Sequence, residues 1–247
     1  VEITPANGAH IIFDGGTGIR GVGNYIGRQN ESSYDVHLFL SHTHWDHIIG
    51  LPYFAPIHQP YANVFIYGPK RAGNSLEKTI RCLFSSPYFP LKLEDIEARL
   101  TFIELEPGLL NFGEGMTMHC ARHPHPNGAM SYRLEVGGFS VAYVTDIEHL
   151  KEKLVPAVLE LCRDADVLIH DSHFHQDDLP LHRSWGHSSW EEAITVAQKA
   201  GVKNLFLFHF SPNYSDYDVF DMELRARQVF PNTTASYQGL TVDFPAS

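Results

Sequence analysis

Ser41-His42-Thr43-His44-Trp45-Asp46-His47-Ile48-Ile49-Gly50 sets three imidazoles and a carboxylate within six residues. It follows an apolar run, Val36-His37-Leu38-Phe39-Leu40, that reads as a buried strand. A strand feeding a tight loop projects several donors into one small volume. Neutral imidazole and carboxylate suit zinc and its first-row neighbours, and one divalent ion takes about four to six donors, so the loop needs partners from elsewhere. The plain alternative is a histidine-rich surface loop. Against it, Leu38-Phe39-Leu40 and Ile48-Ile49-Gly50-Leu51 imply a loop gripped by core at both ends, where unpaired polar groups are costly.

Upstream, Ala9-His10-Ile11-Ile12-Phe13 reads as a strand running into Asp14-Gly15-Gly16-Thr17-Gly18, a turn whose Asp is placed to orient a neighbouring loop. Downstream, strands are expected at Val64–Pro69, Leu100–Leu105 and Met116–Ala121, with a short helix from Ser75 to Leu83. The aromatics of Phe84-Ser85-Ser86-Pro87-Tyr88-Phe89-Pro90 read equally as a base-binding wall, a subunit interface or core cover. His119, His123 and His125 share a face if their strand stays extended. Their spacing leaves His123 and His125 both open as ligands, and His119 reads as a core or supporting histidine.

Gly137-Gly138 closes a hairpin between Tyr132–Val136 and Phe139–Thr145, which ends on Asp146. A helix is expected from Lys151 to Cys162, and a strand at Val167–Ile169 ending in His170-Asp171-Ser172-His173. Residues 174–186 read as a polar loop able to cover the site, with His173, His175 and His182 read as solvated and substrate contact as the alternative. Ser188 and Glu191 suggest a capping box that puts His187 at a helix N-terminus, a natural seat for a phosphate oxygen. Asn204–Phe208 is a further strand ending at His209, Asp216 to Phe230 a closing helix, and Val242–Phe244 a last strand. The strands ending at His42, Asp146, His170-Asp171 and His209 suggest one sheet edge that gathers them all.

At 247 residues with 43% hydrophobic content, the chain suits one large domain, 1–247. No apolar run approaches the roughly 18 to 20 residues of a membrane span. A formal net charge of −11 argues against long nucleic acid held by phosphate neutralisation. Cys82, Cys120 and Cys162 are widely spaced and include no CxxC, which favours a cytoplasmic setting over a disulfide scaffold. The opening Val1-Glu2-Ile3 carries no initiator Met and no signal-like segment, so a preceding strand or segment is expected.

The HxHxDH string of residues 42–47 resembles the metallo-β-lactamase superfamily, and so do the Asp14 turn, the segment from His125 to Tyr132 and the Gly186-His187-Ser188 loop, the last two nearest its RNase Z-like and cyclic-nucleotide phosphodiesterase-like branch. The resemblance implies an α+β, four-layered αββα sandwich with the metal site at one edge of the two sheets. It selects His125 over His123, placing one divalent ion on His42, His44 and His125 and a second on Asp46, His47 and His209, with Asp146 bridging. Zinc is expected first, and manganese or iron suits the same donors. The paired ions would generate a hydroxide nucleophile near neutral pH. Asp46, His187 and Asp171 are the implied catalytic residues, His187 aiding the departing oxygen and Asp171 fixing its tautomer, although Asp171 stands where the family places a longer Glu. A Gly-His-Ser loop with an acid partner points to phosphodiesters. The short connection after Asp146 leaves no room for the basic arm of tRNA-processing members, so the expected substrate is a cyclic nucleotide or short oligonucleotide. A carboxylic-ester or lactone hydrolase, a tRNase Z-like endonuclease, an iron-dependent redox member and a non-catalytic sensor are the alternatives, and a homodimer stays open.

Overall fold

The computed structural model describes residues 1–29, 32–149 and 153–244, and the chain divides into two compact units, Val1–Glu106 and Pro107–Ser247. The first unit holds β1 (Glu2–Ile3), β2 (His10–Phe13), α1 (Ile19–Gln29), β3 (Tyr34–Phe39), α2 (Trp45–Ile48), β4 (Ala62–Pro69), α3 (Leu76–Arg81) and β5 (Arg99–Leu105). Its strands form one sheet in the order β1-β2-β3-β4-β5, antiparallel between β1 and β2 and parallel elsewhere. β2 and the second half of β3 are buried throughout, as their unbroken apolar runs require of strands covered on both faces.

Helix α1 carries no helical signal that outweighs Gly21, Gly23 and Gly27, which lower its intrinsic propensity. Packing reverses the preference. Ile19 and Ile26 are buried and Val22 is packed against the same core. A Cβ at Gly23 would come within 2.6 Å of the Phe54 ring and 2.9 Å of the Ala55 nitrogen, so that glycine permits the helix to approach. In the aromatic segment Phe84 is part of the core and Phe89 meets it edge to face at 5.6 Å. Those two rings are core cover, and Tyr88 alone among the three faces solvent.

The second unit holds β6 (Gly108–Phe112), β7 (Met116–His123), β8 (Ala129–Val136), β9 (Phe139–Val144), α4 (Pro156–Leu161), β10 (Val167–Asp171), α5 (Trp190–Ala200), β11 (Asn204–Phe208), α6 (Asp216–Val229) and β12 (Thr233–Ala235). They form a sheet in the order β12-β11-β10-β9-β8-β7-β6, antiparallel from β6 to β9 and parallel from β9 to β12. The hairpin turn at Gly137 and Gly138 takes positive φ at both positions, as a tight two-residue loop demands. α5 buries Trp190, Ala193, Ile194, Ala197 and Ala200 in one cluster with Leu205, Leu207 and Met222. Two mixed sheets, each with its own helices, make this an α+β protein.

Several boundaries differ from the sequence reading. α4 begins at Pro156, a residue preorganised for the first helical position, and the part of the expected helix at 150–152 lies outside the described residues. The box that caps α5 is Ser189 with Glu192, one residue later than Ser188 with Glu191. Val242–Phe244 forms no strand, and β12 was hidden by the brevity of Thr233-Thr234-Ala235. The four strand ends also divide. β3, which leads to His42, belongs to the first sheet, whereas β9, β10 and β11 are neighbours in the second. His170 pairs with Val144 and Asp171 with Phe208, which brings the parallel strand ends of β9, β10 and β11 level.

Candidate metal centre

In the first unit the glycine turn and the histidine loop are laced together. Gly15 N–H donates to His47 O at 2.7 Å and Gly50 N–H to Gly15 O at 2.8 Å. A Cβ at Gly16 would lie 2.2 Å from the Asp46 carbonyl oxygen, so no larger residue fits that crossing. Asp14 ends β2 with φ 58° and accepts from Ser41 N (2.7 Å), Ser41 Oγ (2.8 Å) and His47 Nδ1 (2.8 Å). Burial pushes the Asp14 carboxyl up, but His47, His42 and the Ser41 N–H together outweigh it and hold the carboxyl below its usual range. Because Nδ1 of His47 carries the donated proton, its lone pair is on Nε2, 3.2 Å from Asp46 Oδ2. His42 repeats the pattern, with Nδ1 3.0 Å from the Ser41 hydroxyl oxygen. The His42 ring centroid is 4.4 Å from that of His44 and 4.2 Å from that of His47. Imidazoles tied through Nδ1 to a carboxylate network, with Nε2 as the basic nitrogen, are the arrangement of metal-ligating histidines.

In the second unit Asp146 follows β9 and His209 follows β11, both with left-handed backbone (φ 54° and 63°). The two oxygens of Asp146 face different imidazoles. Oδ1 is 3.6 Å from His125 Nε2 and Oδ2 is 3.5 Å from His209 Nε2. Donors on a tetrahedral ion with bonds of about 2.0–2.1 Å lie about 3.4 Å apart, so the spacing suits a carboxylate shared between two ions. His125 donates from Nδ1 to Gly186 O at 2.9 Å, which leaves its lone pair on Nε2. His123, the other candidate at this position, has both ring nitrogens engaged, by Asp146 O at 3.1 Å and by the Ser131 hydroxyl at 2.8 Å. His119 is half exposed beside Glu135 rather than part of a core, because β7 places it on the outer side of the sheet.

Asp171 is fully buried and accepts four hydrogen bonds. Oδ2 takes His187 Nδ1 (2.8 Å) and Asp146 N (2.9 Å), and Oδ1 takes Ser188 N (3.0 Å) and His173 N (3.1 Å). Burial pushes this carboxyl up, but His187 more than compensates and keeps it below the usual range. The shorter acid therefore does reach its histidine. Asp146, Asp171, His187 and His209 bring one donor atom each within 4.8 Å of one another.

His173, His175 and His182 are partly buried and each has a tertiary partner, rather than standing free in solvent. His173 stacks on His187 at 4.1 Å and donates from Nδ1 to His209 O at 2.8 Å. His175 accepts from Trp190 Nε1 at 3.0 Å, and His182 stacks on Phe174 at 4.3 Å. The supporting residues Ser41, Ser131 and Glu148 carry no signal of their own in the sequence, and Ser188 is legible there only as a cap and as part of the His187 loop. Glu148 binds the nitrogens of Ser184 and Gly186 and so fixes the loop before His187. For Ser41 adjacency to a site histidine was the sole available cue.

Three buried histidines flank this region and set an acid limit. Burial lowers His123 to about 4 and, with the charge of His170, lowers His149 to about 3; burial lowers His170 as well. Between pH 6.5 and the folded values the unfolded chain binds more protons, so their contribution is complete above pH 6.5 and is lost as pH falls toward 4. His123 and His149 each account for about 3 kcal/mol over that window, and His170 acts in the same direction. Thermal unfolding from pH 7 to 4.5 should show a falling Tm, less steep in His149→Gln, and equal slopes in the two proteins would sink this account.

A family profile described as "Beta-lactamase superfamily domain" matches residues 10–210. Among curated proteins, the chain is 27% identical over 245 residues to ribonuclease Z of Lacticaseibacillus casei, covering 79% of this chain and 74% of that protein. Among solved structures it is similar to a new diphosphatase from the PhnP family, with TM-score 0.70, 19% identity and coverage of 98% of this chain and 83% of the other. Human tRNase Z, short form, gives TM-score 0.69, 20% identity and coverage of 99% and 91%.

Proposed function

The chain belongs to the beta-lactamase superfamily and is a metal-dependent hydrolase, and from that premise we propose that it is a dinuclear phosphodiesterase acting on small phosphodiesters, cyclic nucleotides or short oligonucleotides. In this reading His42, His44 and His125 would hold one divalent ion and Asp46, His47 and His209 a second, with Asp146 serving both. The donors are nitrogen and carboxylate oxygen, which fit zinc first and manganese or iron next. When bound, such ions supply an activated water at neutral pH and neutralise phosphoryl oxygens.

The observation that carries the phosphodiester assignment is the His187–Asp171 pair. Asp171, held by three backbone nitrogens, fixes the proton on His187 Nδ1, so Nε2 is the nitrogen that meets substrate. With the ring protonated on both nitrogens, Nε2–H is the donor to a departing alkoxide, and the buried carboxylate stabilises the cation while it lasts. The His187 side chain is 12% exposed, enough for an approaching leaving group. Acyl substrates with good leaving groups have less need of this acid.

A second reading, an RNA 3′-end endonuclease, is favoured by the ribonuclease Z name of the relative in Lacticaseibacillus casei. The nine-residue connection from Ile147 to Val155 and the net charge of −11 support the small substrate instead. The experiment is hydrolysis of bis-p-nitrophenyl phosphate, cyclic mononucleotides, short RNA and a lactone by wild type and His187→Ala, with zinc or manganese added. A loss of about 10²-fold or more on ribose leaving groups, and a smaller loss on p-nitrophenolate, is expected because the better leaving group needs less proton donation. Lactone turnover indifferent to His187, with no diester cleavage, moves the assignment to an ester hydrolase.

A further inference from the structure

Trp45 opens α2 between two of the proposed ligands, His44 and Asp46, yet its side chain faces solvent and the residue is 64% exposed. Ile49 is one helical turn further on, its N–H donating to Trp45 O at 2.8 Å, and is 40% exposed. Tyr53 follows after another turn and is 60% exposed. Trp45 and Ile49 are one α-helical turn apart, and Tyr53 closes the 3₁₀ turn Leu51–Tyr53 that follows. Tyr53 is braced from behind, its ring meeting Phe89 edge to face at 5.7 Å, and Phe89 rests on the core ring of Phe84. Single exposed apolar residues need no explanation, but three within nine residues, the first of them inside a ligand loop, do.

The charge balance says what these three are for. With 18 Lys and Arg against 29 Asp and Glu, the chain is poorly supplied with cations to hold a polyanion by its phosphates. Uncharged aromatic faces stack on any base and need no cation. His44 and Asp46 flank Trp45 directly, so the loop that would seat the phosphate also carries the indole. We propose that Trp45, backed by Ile49 and Tyr53, stacks the nucleobase of the diester whose phosphate His44 and Asp46 help to bind. This rests on the phosphodiesterase reading and assigns the residue that would recognise the nucleoside part of its substrate.

The test measures preference rather than rate. Calorimetric binding of thymidine 5′-monophosphate and methyl phosphate, and kcat/KM for the thymidine and methyl p-nitrophenyl phosphate diesters, are compared in zinc-loaded wild type, Trp45→Ala and Trp45→Phe. Wild type is expected to favour the thymidine compound by about tenfold in both measurements, Trp45→Ala to lose that preference and Trp45→Phe to keep most of it. A preference unchanged in Trp45→Ala, with both diesters turned over, overturns the base contact and leaves the phosphodiesterase reading standing. The same holds if Trp45→Ala instead splits a dimer, which would make these residues an interface between copies of this chain. Turnover of neither diester overturns the phosphodiesterase reading and this inference with it.

Discussion

Asp146→Ala should leave a folded protein that binds fewer than two divalent ions per chain and hydrolyses diesters about 10³-fold more slowly, the several kcal/mol that a correctly held ion contributes to the transition state. Each Asp146 oxygen faces a different imidazole, His125 at 3.6 Å and His209 at 3.5 Å, so one substitution removes a donor from both proposed ions. Alanine tolerates the φ of 54° at this position less well than Asp, and Asp146→Asn, which accepts left-handed backbone and keeps one carbonyl oxygen, separates loss of charge from strain. Metal analysis of the purified variants, with melting curves for folding, decides the matter. Two retained ions with activity within about tenfold of wild type would remove Asp146 from the centre.

Asp171→Ala acts first on stability. The fully buried carboxylate accepts from the backbone nitrogens of Asp146, His173 and Ser188 and from His187 Nδ1, and alanine leaves all four donors without an acceptor in a space closed to water. A cost of about 3–5 kcal/mol is expected from removing one partner of such a network. Asp171→Asn is little better, because both oxygens accept two donors each and an amide NH₂ on either side meets N–H groups. Urea unfolding of the metal-free proteins gives the number. A loss below about 1 kcal/mol in the alanine variant would mean that the network is not structural.

The parts of the centre legible in the sequence are those where the chain itself concentrates donors after an apolar strand. His42, His44, Asp46 and His47 are contiguous, and Asp146 and His209 each follow a hydrophobic run that can only be a buried strand. His125 against His123 was not separable by spacing. It took the bonds to Ser131 and the Asp146 carbonyl, both distant in sequence, to engage His123 at both nitrogens. The stack of His173 on His187 was unreadable for the same reason, since a polar loop looks solvated until its tertiary partners are known. In the fold, α1 was missed because glycine lowers helix propensity, and the close approach to Phe54 that requires Gly23 leaves no local trace.

Asp14, Asp146 and His209 share one backbone property: each follows an apolar strand in the left-handed region, where residues other than glycine are uncommon. Glycine at any of them would relieve strain of about 1 kcal/mol. At Asp14 the three hydrogen bonds that the buried carboxylate accepts outweigh that gain, whereas at Asp146 and His209 the strain is the cost of presenting a side chain to the proposed ions. Lineages that abandon catalysis should drift to glycine or asparagine at positions 146 and 209 while Asp14 and the sheets survive, leaving pseudoenzymes recognisable by those substitutions.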